Sequence, residues 1–123
     1  MNTLPFALVI EDDLQQSEIF THAMKIAGYE VESFLDGQTA LEYLENCTPC
    51  VVVLDINLPR VSGEQILKHI RSDERFSQTR VIIATANPRL ADQVLNESDL
   101  ILIKPISFTQ LRDLAERIKP TPC

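Results

Sequence analysis

The sequence predicts an α/β fold in which a five-stranded parallel sheet is covered by helices on both faces. Two observations support this prediction: short apolar segments alternate with segments of helical period, and the apolar segments are rich in β-branched residues. Such segments are typical of parallel strands buried on both faces, joined by right-handed crossovers. A chain of 123 residues is long enough for one such domain. We therefore expect a single domain over residues 1–123, with 120–123 as a short tail or the start of a linker.

Five segments are predicted as strands. Four are almost wholly apolar, and the segment 29–34 alternates apolar with polar residues, as a strand close to a sheet edge does. The predicted strands are residues 6–10, 29–34, 51–54, 81–84 and 100–103.

Five further segments are predicted as helices, because apolar residues recur every three or four positions or because capping residues bound them. Gly28 is the expected stop of the first helix, and Ser107 is the expected N-cap of the last. The fourth is short and weakly periodic. The predicted helices are residues 14–27, 38–46, 63–71, 89–96 and 108–118.

Charge and composition exclude several functional classes. The chain has 18 acidic and 11 basic residues, a formal net charge of −7, and no cluster of lysine or arginine, so we expect no direct binding to nucleic acid. No apolar run is long enough to cross a membrane, and the first residues lack the basic region of a signal peptide. We therefore expect a cytoplasmic protein without membrane contact. Dinucleotide-binding and P-loop glycine motifs are absent.

Four of the five predicted strands end in side chains suited to metal and phosphate chemistry. Ligand sites of open parallel sheets lie at the carboxyl ends of the strands, so these side chains should lie close together. Clustered carboxylates repel one another unless a cation neutralises them, and hard oxygen ligands favour Mg²⁺. A carboxylate held there could attack phosphorus to give an acyl phosphate. The residues are Glu11 and Asp12 after the first strand, Asp55 after the third, Thr85 after the fourth and Lys104 after the fifth.

This set of residues resembles the response regulator receiver domain of two-component signalling, and the chemotaxis regulators within it. Each of these motifs alone is weak evidence, but their occurrence together, in the family's order along essentially the whole chain, is specific to the family. The resemblance implies a doubly wound, flavodoxin-like (βα)5 receiver fold. The matching residues are Glu11 and Asp12 (acidic pair), Asp55 (phosphoacceptor), Thr85 (switch residue) and Lys104 (lysine), with Pro59, Gly63 and Pro105 also in register.

The resemblance also implies how the site works. Asp55 would accept a phosphoryl group from a phosphohistidine of a sensor histidine kinase or phosphotransfer protein. Asp12 and Asp55 would bind Mg²⁺ directly, with Glu11 acting through water and Asn57 through its backbone carbonyl. Lys104 would pair with the phosphoryl group.

The implied output is a change in partner binding. Thr85 would turn toward the phosphoryl group and draw its loop inward, which is a two-state population shift. The domain would assist only its own phosphorylation and dephosphorylation, so we do not expect an enzyme with a separate substrate. The expected partners are the phosphodonor, an unidentified downstream protein and, as one option, a second copy of the chain.

Two features depart from the receiver pattern. Receivers usually carry an aromatic residue three positions before the lysine, where this chain has Ile101. The spacing from Thr85 to Lys104 is nearly one helical turn shorter than is usual in the family. Both departures fall on the output face, so they favour, weakly, the alternative of a degenerate receiver that acts as a constitutive protein–protein module.

Other interpretations carry less weight. A phosphatase of the haloacid dehalogenase type needs an aspartate two residues after the nucleophile, where this chain has Asn57.

Cys47 and Cys50 have the spacing of a redox pair, but they follow a predicted helix instead of starting one, so we interpret them as part of a turn. Asp13, the third acid of its run, is interpreted as a helix N-terminal residue outside the acidic pair.

Overall fold

Five parallel strands form one sheet in the order β2-β1-β3-β4-β5 in the computed structural model, which describes residues 4–89, 92 and 98–120. All predicted strands are confirmed, and β2, the strand with alternating polarity, lies at an edge of the sheet. The strands are β1 (Phe6–Ile10), β2 (Glu30–Phe34), β3 (Val51–Asp55), β4 (Arg80–Thr85) and β5 (Leu100–Ile103).

Four α-helices lie wholly within the described part of the chain, and each begins and ends within two residues of its predicted bounds. A short 3₁₀ helix, Glu74–Phe76, was not predicted. The predicted helix over 89–96 falls largely on residues outside the described ranges. The helices are α1 (Leu14–Ile26), α2 (Gly37–Leu44), α3 (Gly63–Arg71) and α4 (Phe108–Arg117).

Each helix begins at a polar side chain that accepts a hydrogen bond from an otherwise unpaired backbone N–H of the first turn. The Asp13 carboxylate accepts from the N–H of Gln16 at 2.9 Å, so Asp13 is the N-cap of α1, as predicted. Ser107 caps α4 in the same way through Gln110, at 3.0 Å. The other two N-caps are Asp36 for α2 and Ser62 for α3.

Two apolar cores lie on opposite faces of the sheet. Alternate residues of β1 point to opposite faces, so Leu8 and Ile10 pack into one core and Ala7 and Val9 into the other. Helices α2 and α3 cover the first core, and α1 and α4 cover the second. Strand β3 lies between β1 and β4 and is buried throughout its length. The central strands are thus packed on both faces, and their positions in the sheet are set by this packing.

The segment from Cys47 to Cys50 connects α2 to β3, as predicted, and its two cysteines have different surroundings. Cys47 is hydrogen bonded to Tyr43 of α2, and partial burial raises the pKa of its thiol. Cys50 packs against the core that α1 and α4 cover. A raised thiol pKa is the opposite of what a reactive redox cysteine needs.

No helix among the described residues combines the length and the apolar character that a membrane crossing requires.

Candidate functional site

The strand register brings the predicted site residues to one edge of the sheet. Ile10 pairs with Leu54, so the residues that follow them, Glu11 and Asp55, lie side by side. Asp55 pairs in turn with Ala84, which places Thr85 one residue beyond it. Thr85 pairs with Ile103 of β5, and Lys104 follows directly, donating its backbone N–H to the Thr85 carbonyl oxygen at 2.8 Å.

Three carboxylates form the centre of this edge. Glu11 and Asp55 are buried, with 1% and 4% of their surfaces exposed, whereas Asp12 is exposed at the mouth of the site. One carboxylate oxygen from each of the three residues lies within 4.8 Å of the others. This set of hard oxygen donors, two of them shielded and one open to solvent, fits a Mg²⁺ ion that retains several waters.

Lys104 supplies positive charge to the buried carboxylates. Its Nζ lies 2.7 Å from Oε1 of Glu11 and 3.6 Å from Oδ2 of Asp55, and 16% of its side chain is exposed. Backbone groups satisfy the remaining carboxylate oxygens: the N–H of Asn57 donates to Oδ1 of Asp55 at 3.1 Å, and the N–H of Asp13 donates to Oε2 of Glu11 at 3.2 Å. One ammonium group therefore faces two buried carboxylates.

Burial, the hydrogen bond with Glu11 and the repulsion between the two carboxylates, in decreasing order of effect, together raise the pKa of Asp55 to about 7. The Asn57 N–H and the Lys104 ammonium lower the pKa of Asp55, but by less than burial and Glu11 raise it. A cation between the carboxylates would favour the ionised form of Asp55.

Thr85 is completely buried, and its hydroxyl group is bonded within a short turn. Its Oγ1 accepts a hydrogen bond from the N–H of Asn87 at 3.0 Å and lies 3.4 Å from the Asn87 carbonyl oxygen, to which it donates. The carboxamide oxygen of Asn87 accepts from the N–H of Arg89 at 3.0 Å. Sequence reasoning missed Asn87, because its contact with Thr85 uses backbone atoms that any residue possesses.

Gly63 fixes the loop that follows Asp55. Its N–H donates to the carbonyl oxygen of Ile56 at 3.0 Å. A Cβ atom on Gly63 would lie 2.5 Å from the Asp55 carbonyl oxygen and 2.5 Å from Cα of Ile56, closer than a real Cβ comes. The position therefore needs glycine for close approach of two backbones. Asn57 lies in the same loop with an exposed side chain, and the proposed use of its carbonyl as a metal ligand stays a prediction.

Ile101 is half-buried on β5, opposite Ile83 of β4, and packs against the core that α2 and α3 cover. Ile101 therefore places an aliphatic side chain at the position where receivers usually have an aromatic ring.

Comparisons with known proteins agree with this geometry. Residues 7–116 match the family model of the response regulator receiver domain. The chain is 31% identical over 123 residues to the probable methanogenesis regulatory protein FilR2 of Methanothrix harundinacea. The alignment covers 91% of this chain and 79% of FilR2. It is 34% identical over 107 residues to the transcriptional regulatory protein HprR of Escherichia coli, covering 85% of this chain but only 47% of HprR. The chain thus spans about half the length of relatives such as HprR.

Solved structures show the same fold. The chemotaxis response regulator CheY4 of Vibrio cholerae superimposes with a TM-score of 0.85 at 24% identity, covering 94% of this chain and 99% of CheY4. A CheY-like receiver domain from Methylobacillus flagellatus gives a TM-score of 0.83 at 24% identity, covering 95% of this chain and all of that one. The fold is therefore the flavodoxin-like receiver fold. The family match extends over residues 7–116, which is most of the chain. This chain therefore belongs to the response regulator receiver domain family.

Proposed function

We propose that the chain is the phosphoacceptor switch of a two-component phosphorelay, which takes a phosphoryl group onto Asp55 in a Mg²⁺-dependent manner. The observation that carries the proposal is the buried Asp55 carboxylate beside Glu11 and Asp12, with the Lys104 ammonium 3.6 Å away. The phosphodonor would be a phosphohistidine of a sensor histidine kinase or a phosphotransfer protein.

The acidic residues would bind the metal ion. Asp12 and Asp55 would ligate it directly, Glu11 would act through water, and Asn57 would contribute its backbone carbonyl. When bound, Mg²⁺ supplies positive charge that offsets both the carboxylates and the incoming phosphoryl oxygens. Its presence also favours the ionised form of Asp55, whose pKa of about 7 would otherwise leave much of it protonated near neutral pH.

Phosphoryl transfer would be a matter of position and charge. A carboxylate oxygen of Asp55 forms the new O–P bond as the P–N bond to the donor imidazole breaks, and the imidazole keeps the bonding electron pair. The N–H of Asn57 holds Oδ1 of Asp55 and so orients the carboxylate. Lys104, now bonded to Glu11, would pair with a phosphoryl oxygen.

The output would be a change in partner binding. Thr85 would donate its hydroxyl proton to a phosphoryl oxygen, which biases the turn that follows it toward a second arrangement. The domain would have no separate substrate and so would not be an enzyme beyond its own phosphorylation and dephosphorylation. We place it in the cytoplasm, where it would meet its kinase and an unidentified downstream protein, and a second copy of the chain is a further candidate partner. Direct contact with nucleic acid is not part of the proposal, because the net charge is −7.

A degenerate receiver is the second candidate, and Ile101 is the observation that favours it. An isoleucine cannot repeat the rotamer change of the aromatic ring that receivers usually carry there. The carboxylates and Lys104 favour the phosphoacceptor instead, because a purely structural module has no need for three clustered acids.

The test is the intact mass of the protein after incubation with acetyl phosphate, with and without Mg²⁺. We expect one phosphoryl adduct on the wild type with Mg²⁺, none without it, and none on Asp55→Asn. Asp113→Asn, which changes an exposed aspartate of α4, is the matched control and should behave as the wild type does. An adduct on Asp55→Asn would place the acceptor elsewhere, and the absence of both an adduct and Mg²⁺ binding would favour the degenerate receiver.

A further inference from the structure

Strand β2 forms an edge of the sheet, and the backbone groups on its outer side face no other strand. The Glu30 N–H and the Phe34 carbonyl oxygen bond to the residues that flank β1, at 2.9 and 3.1 Å. Alternate residues of a parallel strand bond to the same neighbour, so the N–H and C=O groups of Val31 and Ser33 point away from β1. In the described part of the chain, these groups have no hydrogen-bond partner. Such an edge can pair with a further strand.

Grooves lie on both faces of this edge. Ser33 and Phe34 are neighbours in β2, so their side chains point to opposite faces of the sheet. A groove of about 470 Å³ lies between the Ser33 face and α1. A second groove, of about 630 Å³, lies between the Phe34 face and α2. A strand added to β2 would direct its side chains alternately to these two faces.

The groove beside α2 is aromatic and acidic. The rings of Phe34 and Tyr43 line it, with their centroids 5.0 Å apart. Glu42 of α2 also lines it. Glu30 and Glu32 are exposed and lie on the same face as Phe34, because every second residue of a strand points to one face. Among the described residues that line this groove, none is basic. This face therefore suits a positively charged partner.

Two further observations support the negative character of this face. Partial burial first, and then Cys47 and the two glutamates of β2, raise the pKa of the Tyr43 hydroxyl, so the glutamates lie close enough to act on it. Arg75 lies near Cys47, but its guanidinium is bonded to two backbone carbonyl oxygens at the end of α2. The glutamates of β2 have no ion-pair partner among the described residues.

The groove beside α1 has a different character. The hydroxyl groups of Ser17, Thr21 and Ser33 lie in its wall, and Oγ1 of Thr21 has no hydrogen-bond partner among the described residues. Glu18 and Lys25 contribute charges of opposite sign. This groove therefore suits small polar side chains, whereas the groove beside α2 suits basic ones.

We propose that the outer edge of β2 binds an extended segment of a partner protein in which lysine or arginine alternates with small polar residues. The segment adds a strand to the sheet: its backbone pairs with Val31 and Ser33, and its basic side chains face Glu30 and Glu32. A second copy of the chain is disfavoured, because two such edges would bring like charges together. The inference goes beyond the proposed function and does not require phosphorylation of Asp55.

The test is isothermal titration calorimetry of the whole chain with a capped synthetic peptide in which lysine alternates with threonine. The control peptide has the same residues arranged in two blocks, so it has equal charge but no single basic face. At physiological ionic strength, we expect the alternating peptide to bind and the block peptide not to bind. Equal affinity for the two peptides, or no binding of either, would overturn the inference.

Two variants of Ser33 separate backbone pairing from attraction between charges. Ser33→Pro removes the outward N–H without removing a bond to β1, and Ser33→Ala retains this N–H. We expect Ser33→Pro to bind the alternating peptide about tenfold more weakly and Ser33→Ala to bind it as the wild type does. Equal affinities of the two variants would contradict strand addition.

Hydrogen exchange on the wild type gives the same answer if Ser33→Pro does not fold. The alternating peptide should slow exchange of the Val31 and Ser33 amides, which point outward. It should leave the Glu32 amide unchanged, because that amide already faces β1. Protection elsewhere, with no change at Val31 and Ser33, would place the peptide at another site and refute the proposal.

The charge preference is tested with Glu32→Gln. We expect it to weaken binding of the alternating peptide about two- to fivefold, the size of an exposed ion pair. Glu116→Gln, at an exposed position of α4, is the matched control and should bind as the wild type does. Equal loss in the two variants would mean that net charge alone attracts the peptide, and dimers of the wild type that Ser33→Pro abolishes would make a second copy the occupant; either result would overturn the proposal.

Discussion

At the scale of single residues, the site contains more negative charge than its own cation balances. Lys104 lies 2.7 Å from Glu11 but 3.6 Å from Asp55, so its ammonium favours the former carboxylate. Asp55 is left buried beside another acid, which raises its pKa to about 7. The arrangement that we propose for Mg²⁺ and phosphate binding therefore works against the stability of the metal-free protein.

The pH dependence of stability follows from this raised pKa. A carboxyl group whose pKa is about 7 when folded and near 3.8 when unfolded binds its proton more tightly in the folded state. Its stabilising contribution is fully present below pH ~4 and is lost as the pH rises to ~7 and above. We expect the free energy of unfolding, measured with urea in the presence of EDTA, to fall over this range in the wild type.

Asp55→Asn removes the titrating group and should remove most of this slope. At pH 8 we expect the variant to be more stable than the wild type by up to about 4 kcal/mol, because the pKa shift spans roughly three units. Asp113→Asn is the matched control at an exposed position and should keep the wild-type slope. Parallel pH profiles for the wild type and Asp55→Asn would show that burial does not raise the Asp55 pKa in the folded protein.

At the scale of elements, the strands and helices that an apolar pattern or a capping residue determines could be predicted from the sequence. Four strands were predicted because nearly continuous apolar runs suit a sheet buried on both faces, and β2 was predicted from its alternating polarity. The ends of β4 were missed by one residue on each side, because hydrogen bonding in the sheet extends beyond the apolar run: Arg80 donates to Cys50, and Thr85 pairs with Ile103. The 3₁₀ helix at Glu74–Phe76 is too short to have a period.

Most of the site residues could be predicted as well, because their positions depend on where the strands end. The site residues lie at or directly after the ends of β1, β3, β4 and β5, so locating the strands located them. Asn87 could not be found in this way, because its contact with Thr85 depends on the path of the backbone after β4. The crowding at Gly63 is also invisible in the sequence, since it depends on the approach of α3 to the end of β3.

The junction between β3 and α3 provides a prediction at this scale. In Gly63→Ala, the new Cβ would lie 2.5 Å from the Asp55 carbonyl oxygen, so the helix start or the loop carrying Asn57 must shift. We expect a loss of about 1–3 kcal/mol in the free energy of unfolding, as is typical of overpacking, together with weaker Mg²⁺ binding in calorimetry. Thr109→Ala, at an exposed position of α4, should change neither quantity. Unchanged Mg²⁺ affinity in Gly63→Ala would show that the loop position does not affect the site.

At the scale of the whole molecule, the site exists only when the sheet is assembled. Its residues lie at the ends of four different strands, and the sheet order brings them together although Glu11 and Lys104 are 93 positions apart in the chain. The unfolded chain has no comparable cluster of carboxylates. A ligand that binds the folded state alone stabilises it in proportion to the logarithm of its concentration above the dissociation constant.

Mg²⁺ should therefore raise the thermal unfolding temperature of the whole domain. At a concentration 100-fold above the dissociation constant, the stabilisation is about 2.7 kcal/mol, which corresponds to a shift of several degrees for a domain of this size. Differential scanning calorimetry should show the shift in the wild type and in Asp113→Asn, and a much smaller one in Asp12→Asn, which retains the buried carboxylates but loses the exposed one. An equal shift in Asp12→Asn would mean that Mg²⁺ acts through the −7 net charge of the molecule instead of through the three carboxylates at the sheet edge.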